Sequence, residues 1–426
     1  ILNKEIRREK CISCGSTLSE DIVLIGDQYP SAVFLDENIP PPEDFSATSL
    51  NLSRCTNESC CLIQLSSEYN LQYVFDHYPY ESGTTVTMKK ILKDVIDDAL
   101  SVVTLSPNDV ILDIGGNDGT MLGLVDLRVK ARVNIDAASG VTQTVVSDNY
   151  HYIHSKFDSA TYETLNLPNP KLITCVAMFY HLSDPLAFIT EIERIMDKDT
   201  VWVLQMTYAG TMLEDNILDN ILHEHVGYYS LKSLEYLLKQ VGLKIANAKI
   251  VESYGGSMRA FIVKDTKHFP VEHLNRDVNT LASYENNNGT NTLAALIGFN
   301  SRAQLLRKSL RDLVSHISKV HGPLWGFGAS TKGNMILQFI GATVEDVPVI
   351  LDNSSKKVGT RTTGTLIPIV DEDLNMENLP EYLLILPYYY KETFVSIIRR
   401  SLEKGRSVSL VIPLPYPHII HVQSEA

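Results

Sequence analysis

The sequence predicts an α/β protein: a doubly wound, Rossmann-like central domain, a small metal-binding module in front of it and a second, smaller α/β domain behind. Three observations predict this. Five of the six cysteines lie before position 62. From about residue 81 to about residue 265, amphipathic helical patterns alternate with short apolar runs, as a sheet covered on both faces requires. A second alternation of the same kind follows Pro323. With 426 residues the chain is too long for one ordinary core, and the expected division is 1–80, 81–265 and 266–426.

In the first region the knuckle Cys11-Ile-Ser-Cys14-Gly15 returns as Cys55-x4-Cys60-Cys61, after a loop containing Pro40, Pro41 and Pro42. Cysteines clustered in a long chain without a secretion signal favour metal binding over a disulfide frame. Two loops that each bring two thiolates can fold such a segment around a tetrahedral Zn²⁺, and four sulfur ligands leave that ion structural, with no open position for catalysis. The alternative is a set of reduced thiols with no metal. Cys11, Cys14, Cys55 and Cys60 are the expected ligands. Cys60 is preferred to Cys61 because a ligand pair needs a turn between its members, and Cys61 runs on into the strand-like LIQL. Cys175, in the apolar stretch KLITCVAMF, is expected to be a buried, inert thiol.

The second region opens with KKILKDVIDDAL, an amphipathic helix, and turns through Pro107-Asn108-Asp109 into the strand VILDIGG. Further strands are expected at ARVNID, LITCVAM, VWVLQM and FIVK, with a helix at LKSLEYLLKQVGL ending near Gly242. The third region begins with the polar run ENNNGTNT and a long helix from Leu293 to about His321. Strands at PLWGFGA, PVILD, YLLIL and SVSLVIPLP then alternate with helices from Lys332 and at ETFVSIIRRSLEK.

Composition excludes some functions. The net charge is −14 with no block of Lys or Arg, so nucleic acid is not an expected partner. No run approaches the roughly 18 apolar residues of a membrane helix and no apolar leader opens the chain, so a cytoplasmic protein with no membrane partner is expected. Oligomeric state is not encoded in any pattern here.

The loop Asp113-Ile-Gly115-Gly116-Asn117-Asp118-Gly119 closes the first strand of the central domain. Its glycines let the backbone turn sharply and approach a ligand closely. The spacing is D-x-G-x-x-x-G and not the G-x-G-x-x-G of nicotinamide sites. It resembles the first motif of class I methyltransferases, whose loop wraps the methionine part of S-adenosylmethionine. The next strand ends in Asp136, where such enzymes carry an acidic residue for the ribose diol, a vicinal pair that a carboxylate accepts well.

Downstream stand DNILHEHVGYYSL, SYGGSMRAF, WGFGASTKGN and IPLP, in that order behind the cysteine module. Together they resemble the sugar C-methyltransferases that act on 4-keto-6-deoxy nucleotide sugars, over nearly the whole chain. The resemblance implies a zinc domain, a central S-adenosylmethionine domain and a C-terminal domain that helps enclose a nucleotide-sugar substrate. His223-Glu224-His225 has its histidines two apart and so is not the H-E-x-x-H metalloprotease helix. The resemblance makes His225 the base that forms an enolate, a task that suits imidazole because its ordinary pKa of about 6.5 lies near neutrality. Glu224 would orient or stabilise that imidazole and His223 would lie at the substrate. His181, in MFYHLSDP, and Tyr80, in YPYESGT, match family positions near the reacting centre.

For the phosphates, Ser257 and Arg259 in GGSMR and Lys332 and Gly333 in STKGN are the expected contacts, since Arg pairs with phosphate bidentately and a turn opening a helix offers amides to anions. One position departs from the family pattern: many relatives have tyrosine directly before the H-E-H triplet, where this chain has Leu222. Leucine can neither donate nor accept. The alternative functions are therefore O- or N-methylation or a non-methylating enolate reaction on the same scaffold, or a binding protein without activity.

Overall fold

A computed structural model describes residues 5–424, except 37, 39–44, 72, 75–80, 139–140 and 267–271. Tyr80 and the Pro40–Pro42 loop lie outside the described residues.

The N-terminal module is built on three antiparallel strands, β1 (Val23–Gln28), β2 (Thr48–Arg54) and β3 (Ile63–Leu65). Next comes α1 (Val86–Val102). Thr85 caps it by accepting from the Met88 amide, and Met88, Leu92, Val95, Ile96 and Ala99 form its buried stripe at helical spacing. That stripe packs on the sheet through Ile111, Val203 and Phe261.

The central sheet contains β4 (Val110–Ile114), β5 (Ala131–Asp136), β6 (Tyr150–His154), β7 (Leu172–Val176) and β8 (Val201–Thr207). The two-residue strand β9 (Gly227–Tyr228) leaves this domain to join the N-terminal sheet beside β3. After the helix α2 (Leu231–Lys239) come β10 (Leu243–Val251) and β11 (Ser257–Lys264). The order across the seven strands is β10-β11-β8-β7-β4-β5-β6, with β11 antiparallel to both neighbours and the other pairings parallel. A parallel, doubly wound sheet with one reversed strand near its edge is the class I methyltransferase arrangement, and ligands bind at the carboxyl ends of its strands.

Every strand expected in the central region is present. The structure adds β6 and β10, and also a helix, α3 (Glu272–Asn288), in a stretch without clear apolar periodicity. The polar run ENNNGTNT begins inside α3, where Glu285 is buried. The carboxylate of Glu285 accepts from the Tyr208 hydroxyl (2.8 Å), the Leu231 amide (2.6 Å), the Lys232 amide (3.2 Å) and Asn291 Nδ2 (2.8 Å), which locks α3 to the start of α2.

The long helix α4 (Leu293–Val320) buries Leu296, Phe299, Ala303, Leu310, Val314 and Ile317 in a core shared by the N-terminal and C-terminal sheets. The C-terminal domain follows with β12 (Trp325–Phe327), α5 (Thr331–Ile340), β13 (Ile350–Asp352), β14 (Ile369–Asp371), β15 (Tyr382–Ile385), α6 (Lys391–Ser401), β16 (Ser407–Ile412) and β17 (His418–Gln423). Its order is β14-β13-β12-β15-β16-β17, parallel except for the last pair. Among the described residues no helix is long and apolar enough to cross a membrane.

Candidate active site and metal centre

The first cysteine pair sits on a tight turn. Gly15, at φ +69°, closes it with its amide donating to the Cys11 carbonyl (2.9 Å), and the Ser13 amide points at Cys11 Sγ (3.4 Å). The second pair is shaped alike, with the Asn57 amide pointing at Cys55 Sγ (3.4 Å). The sulfur atoms of Cys11, Cys14, Cys55 and Cys60 all lie within 4.8 Å of one another, with Cys11–Cys60 at 3.8 Å and Cys14–Cys55 at 3.5 Å. A tetrahedral ion with sulfur bonds of about 2.3 Å needs sulfur atoms about 3.8 Å apart. The four thiols therefore fit one such ion without rearrangement. Cys61 turns away to Asn291 Oδ1 (3.4 Å) and stands outside the cluster. Cys175 is wholly buried, and burial pushes its thiol up, as suits an inert core residue.

The glycine loop follows the fully buried strand β4. Gly115 and Gly119 take φ +72° and +77°, and a Cβ on them would stand 2.9 Å from Met178 Cγ and 2.3 Å from the Tyr150 hydroxyl. A Cβ on Gly116 would fall 2.4 Å from Asp113 Oδ2 and 2.5 Å from Asn134 Oδ1, two buried oxygens with no hydrogen-bond partner. Asp113 accepts from Thr174 Oγ1 (2.9 Å), and burial, with some help from Asp136, pushes its carboxyl up to about 7. Asp136, at the carboxyl end of β5, accepts from the Asn117 amide (2.7 Å) and the Ala138 amide (2.6 Å), which aims it along the loop.

Asn117 and Asp118 shape the loop from its other side. Asn117 Oδ1 accepts the Ser82 amide (2.9 Å), while Asp118 accepts the Gly83 amide (2.7 Å) and the Thr120 amide (3.0 Å). A cavity of about 440 Å³ opens beside them, lined by Glu81, Gly83, Lys89, Asp118 and Thr120 among others. Gln143 and Thr144, which sequence reasoning missed, cover the loop by donating to the Asn117 (2.9 Å) and Asp118 (2.8 Å) carbonyls. A carboxylate at a strand end beside a side-chain-free turn suits the ribose and amino-acid ends of S-adenosylmethionine.

The histidines meet next to this loop. His181 closes a short 3-10 turn after β7, in the same segment as the Met178 that abuts Gly115. His225 stacks on His181 with ring centres 5.3 Å apart, and Tyr180 packs edge-on against His225 at 4.4 Å. The Val226 amide donates to the Tyr180 carbonyl (2.7 Å), pinning the two segments together.

His225 Nδ1 lies 2.7 Å from the Asn220 carbonyl, which can only accept. The proton therefore sits on Nδ1, and the lone pair of Nε2 is left for a substrate. Burial, then the charges of His181 and Lys332, hold His225 well below its usual range, and burial brings His181 down to about 4. Both rings are neutral at working pH.

Other expectations give way. Glu224 is buried, one of its carboxylate oxygens has no partner, and burial pushes it up to about 7; it is Asn220 that orients His225. His223 faces the N-terminal module, with Nε2 3.0 Å from Thr48 Oγ1 and its ring against Tyr69 at 4.8 Å, so it does not meet a substrate. Ser257 is buried and donates to the Ser253 carbonyl (2.9 Å). Arg259 is 1% exposed and fully engaged, with Gln205 Oε1 (2.7 Å), Asp94 Oδ2 (2.8 Å) and Asp98 between the sheet and α1. Neither is placed for a phosphate. The Gly333 amide is spent on the Ser330 cap (2.9 Å), and a Cβ there would meet Leu386 Cβ at 2.5 Å. Leu222 is buried in apolar core.

Lys332, expected at phosphate, instead reaches inward beside His225. Its ammonium donates to Asn220 Oδ1 and to the Tyr389 hydroxyl (3.2 Å) and stands over the Tyr389 ring at 4.5 Å. Behind it the Tyr389 hydroxyl reaches buried Asp219 at 2.7 Å, and that of Tyr388 does so at 3.1 Å. Asn220, Asp219, Tyr388 and Tyr389 were not singled out by sequence. Only the position of Asp219 and Asn220 just before the H-E-H triplet could have drawn attention to that pair.

Residues 87–248 match the family described as a methyltransferase domain, and residues 252–415 match the one described as a C-methyltransferase C-terminal domain. The chain is 23% identical to the C-methyltransferase NovU of Streptomyces niveus over 98% of both sequences. Among solved structures, it is similar to the putative methyltransferase in complex with the Haloferax volcanii Trm112 activator, at 14% identity and TM-score 0.35 over 43% of this chain and 95% of that one. It is also similar to the magnesium protoporphyrin IX methyltransferase of Synechocystis PCC 6803, at 13% identity and TM-score 0.34 over 45% of this chain and 95% of that one. With the strand order, the glycine loop and both matched domains in one chain, the protein is an S-adenosylmethionine-dependent methyltransferase similar to the C-methyltransferases.

Proposed function

We propose that the chain methylates a carbon beside the ketone of a nucleotide-linked 4-keto-deoxysugar, with His225 as the base. The observation that carries this reading is the tautomer: the Asn220 carbonyl fixes the proton on Nδ1, so the lone pair of Nε2 is left as a ready acceptor on a ring stacked against His181, beside the cofactor loop. His225 takes the proton beside the carbonyl, and the pair left behind forms the enolate. S-adenosylmethionine supplies an electrophilic methyl group on sulfur. The new carbon–carbon bond forms as the carbon–sulfur bond breaks with its pair going to sulfur. A neutral base next to neutral His181 costs nothing electrostatically before the reaction, and His225 becomes a cation only as the enolate anion forms beside it.

The four-cysteine cluster is read as a structural zinc site, supported by sulfur spacings that match a tetrahedral ion and by the lack of an open ligand position.

The test is incubation with labelled S-adenosylmethionine and a panel of nucleotide 4-ketosugars in deuterated water. Label transfer to a carbon next to the ketone is expected, and in His225→Asn it disappears while cofactor affinity persists. Label on oxygen or nitrogen, or no transfer to any sugar, overturns the reading. Turnover near wild type in His225→Asn places the base elsewhere.

A further inference from the structure

An enolate needs more than a base. The pair displaced from the carbon–hydrogen bond ends on the carbonyl oxygen, and a buried oxyanion is costly without a donor aimed at it. Leu222 supplies none, since it lies in apolar core at 3% exposure.

Beside His225 stands one group of the right kind. Lys332 and His225 are bound to the same residue: Asn220 offers its backbone oxygen to His225 Nδ1 and its side-chain oxygen to the Lys332 ammonium. An ammonium has three hydrogens. Two are taken, by Asn220 Oδ1 and the Tyr389 hydroxyl, and no third acceptor is found among the described residues. The Lys332 residue is half-buried.

The position is also fixed. Tyr389 stacks under the cation at 4.5 Å, and Tyr254 stands 5.9 Å away on a turn where Gly255 lets the Tyr389 ring approach. Burial lowers the pKa of Lys332, and the charge of Asp219, which is held by the hydroxyls of Tyr388 and Tyr389, works against that shift.

The geometry points to Lys332 as the electrophilic catalytic residue, donating its third hydrogen to the ketone oxygen of the substrate while His225 Nε2 takes the neighbouring carbon-bound proton. The assignment rests on the ketosugar reading above. The step balances: the carbon–hydrogen pair becomes the new carbon–carbon double bond, the carbonyl π pair moves to oxygen, and the proton ends on Nε2. Net charge is unchanged, with the enolate between imidazolium and ammonium. When the methylated ketone reforms, the oxygen returns its pair and Lys332 is released as it began.

The experiment follows solvent deuterium entering the carbon beside the ketone, by NMR, with S-adenosylhomocysteine in the cofactor site so that no methyl can move. Wild type, Lys332→Met and Lys332→Arg are compared on whichever nucleotide 4-ketosugar the wild type exchanges. Loss of one oxyanion donor typically costs on the order of 10²–10³-fold, so the Met variant should lose about that factor in exchange rate, with S-adenosylhomocysteine affinity and sugar KM little changed. The Arg variant, which keeps a cationic donor, should stay within about tenfold of wild type.

Exchange by the Met variant within about threefold of wild type overturns the role of Lys332 and leaves the ketosugar reading standing. If the Met variant does not fold, the Arg variant decides: a folded Arg protein that loses more than about a hundredfold overturns it. A wild-type enzyme that exchanges no ketosugar fails at the earlier step, and the role of Lys332 falls with that reading.

Discussion

Replacing Arg259 with methionine separates a structural cation from a substrate-binding one. In the structure its guanidinium is 1% exposed, donating to Gln205 Oε1 (2.7 Å), Asp94 Oδ2 (2.8 Å), the Asp94 carbonyl (3.2 Å) and Asp98. The Asp94 side chain is 63% exposed, so solvent screens that pair and it adds at most about 1 kcal/mol. Asp98 keeps Lys249 as a partner when Arg259 is gone. Gln205 is the costly member: it is fully buried, its Nε2 still meets Ser253 Oγ (3.2 Å), but its carbonyl oxygen loses its donor. An orphaned buried acceptor costs about 1–3 kcal/mol. Methionine fills most of the stem volume, so little is added for a cavity. The sum is about 3 kcal/mol, or roughly 6–12 °C in the melting temperature of a domain of this size. Calorimetry should register that loss, while the KM for the nucleotide sugar stays within about threefold. An unchanged melting temperature with a KM raised about tenfold, equivalent to about 1.4 kcal/mol of binding, would refute the structural assignment and restore the phosphate contact.

Glu285→Ala removes the acceptor of two amides at the start of α2, of Tyr208 and of Asn291, and about 3 kcal/mol of stability should go with them in urea titration, with Glu285→Gln in between. On the proposed role of His225, the pH dependence of kcat/KM reports that base. Because burial, then the neighbouring His181 and Lys332, lower the pKa of His225, it stays deprotonated to lower pH than a free imidazole, so the acid limb should fall well below the ordinary value of about 6.5, and a limb at or above that value contradicts the site. The same sign governs stability: with the pKa of His181 and His223 lowered to about 4 and about 3, the unfolded chain binds protons first, and their contribution is lost as pH falls from about 6.5 toward those values. Metal analysis should find about one zinc per chain, and its chelation should abolish turnover before cofactor binding; a metal-free protein with full activity would sink the four-thiolate site.

What the sequence made legible was chemistry that is local in the chain. The glycine loop, the acidic end of β5 and the two cysteine knuckles each complete a turn within a few residues, so spacing alone announces them. The strands of the central sheet were legible because their apolar runs are continuous, as buried parallel strands must be. Helix α3 was not, because its apolar face is short: Val278, Leu281 and Ala282 pack on the core, and the next position on that face is Glu285, a polar anchor that breaks the apolar period. Cations were the hardest to place. A short motif such as GGSMR or STKGN shows a charge on a turn but not the carboxylates that neutralise it. For Arg259 those lie about 165 residues earlier, on α1, and for Lys332 the nearest is Asp219, on a different domain. The choice between an anion-binding site and an internal ion network is made by tertiary packing.

The same packing explains what a four-cysteine module contributes to methyl transfer. The segment carrying His225 has little regular structure of its own and is held between two anchors. On one side Val226 donates to Tyr180, beside the cofactor loop. On the other, β9 pairs with β3, the Leu65 amide donates to the Val226 carbonyl (2.9 Å), and His223 meets Thr48 on β2. Strands β2 and β3 flank the second cysteine knuckle, which cross-links them to the first. An ion in that cluster would thus fix the strand edge on which the catalytic segment is hung, some way from the chemistry and with no ligand position open to it. On this view the outer residues of the H-E-H triplet divide the labour, His223 tying the segment to the module while His225 meets Tyr180 and His181, and on the proposed role of His225 the change His223→Ala should lower kcat by loosening that base without altering which proton is removed.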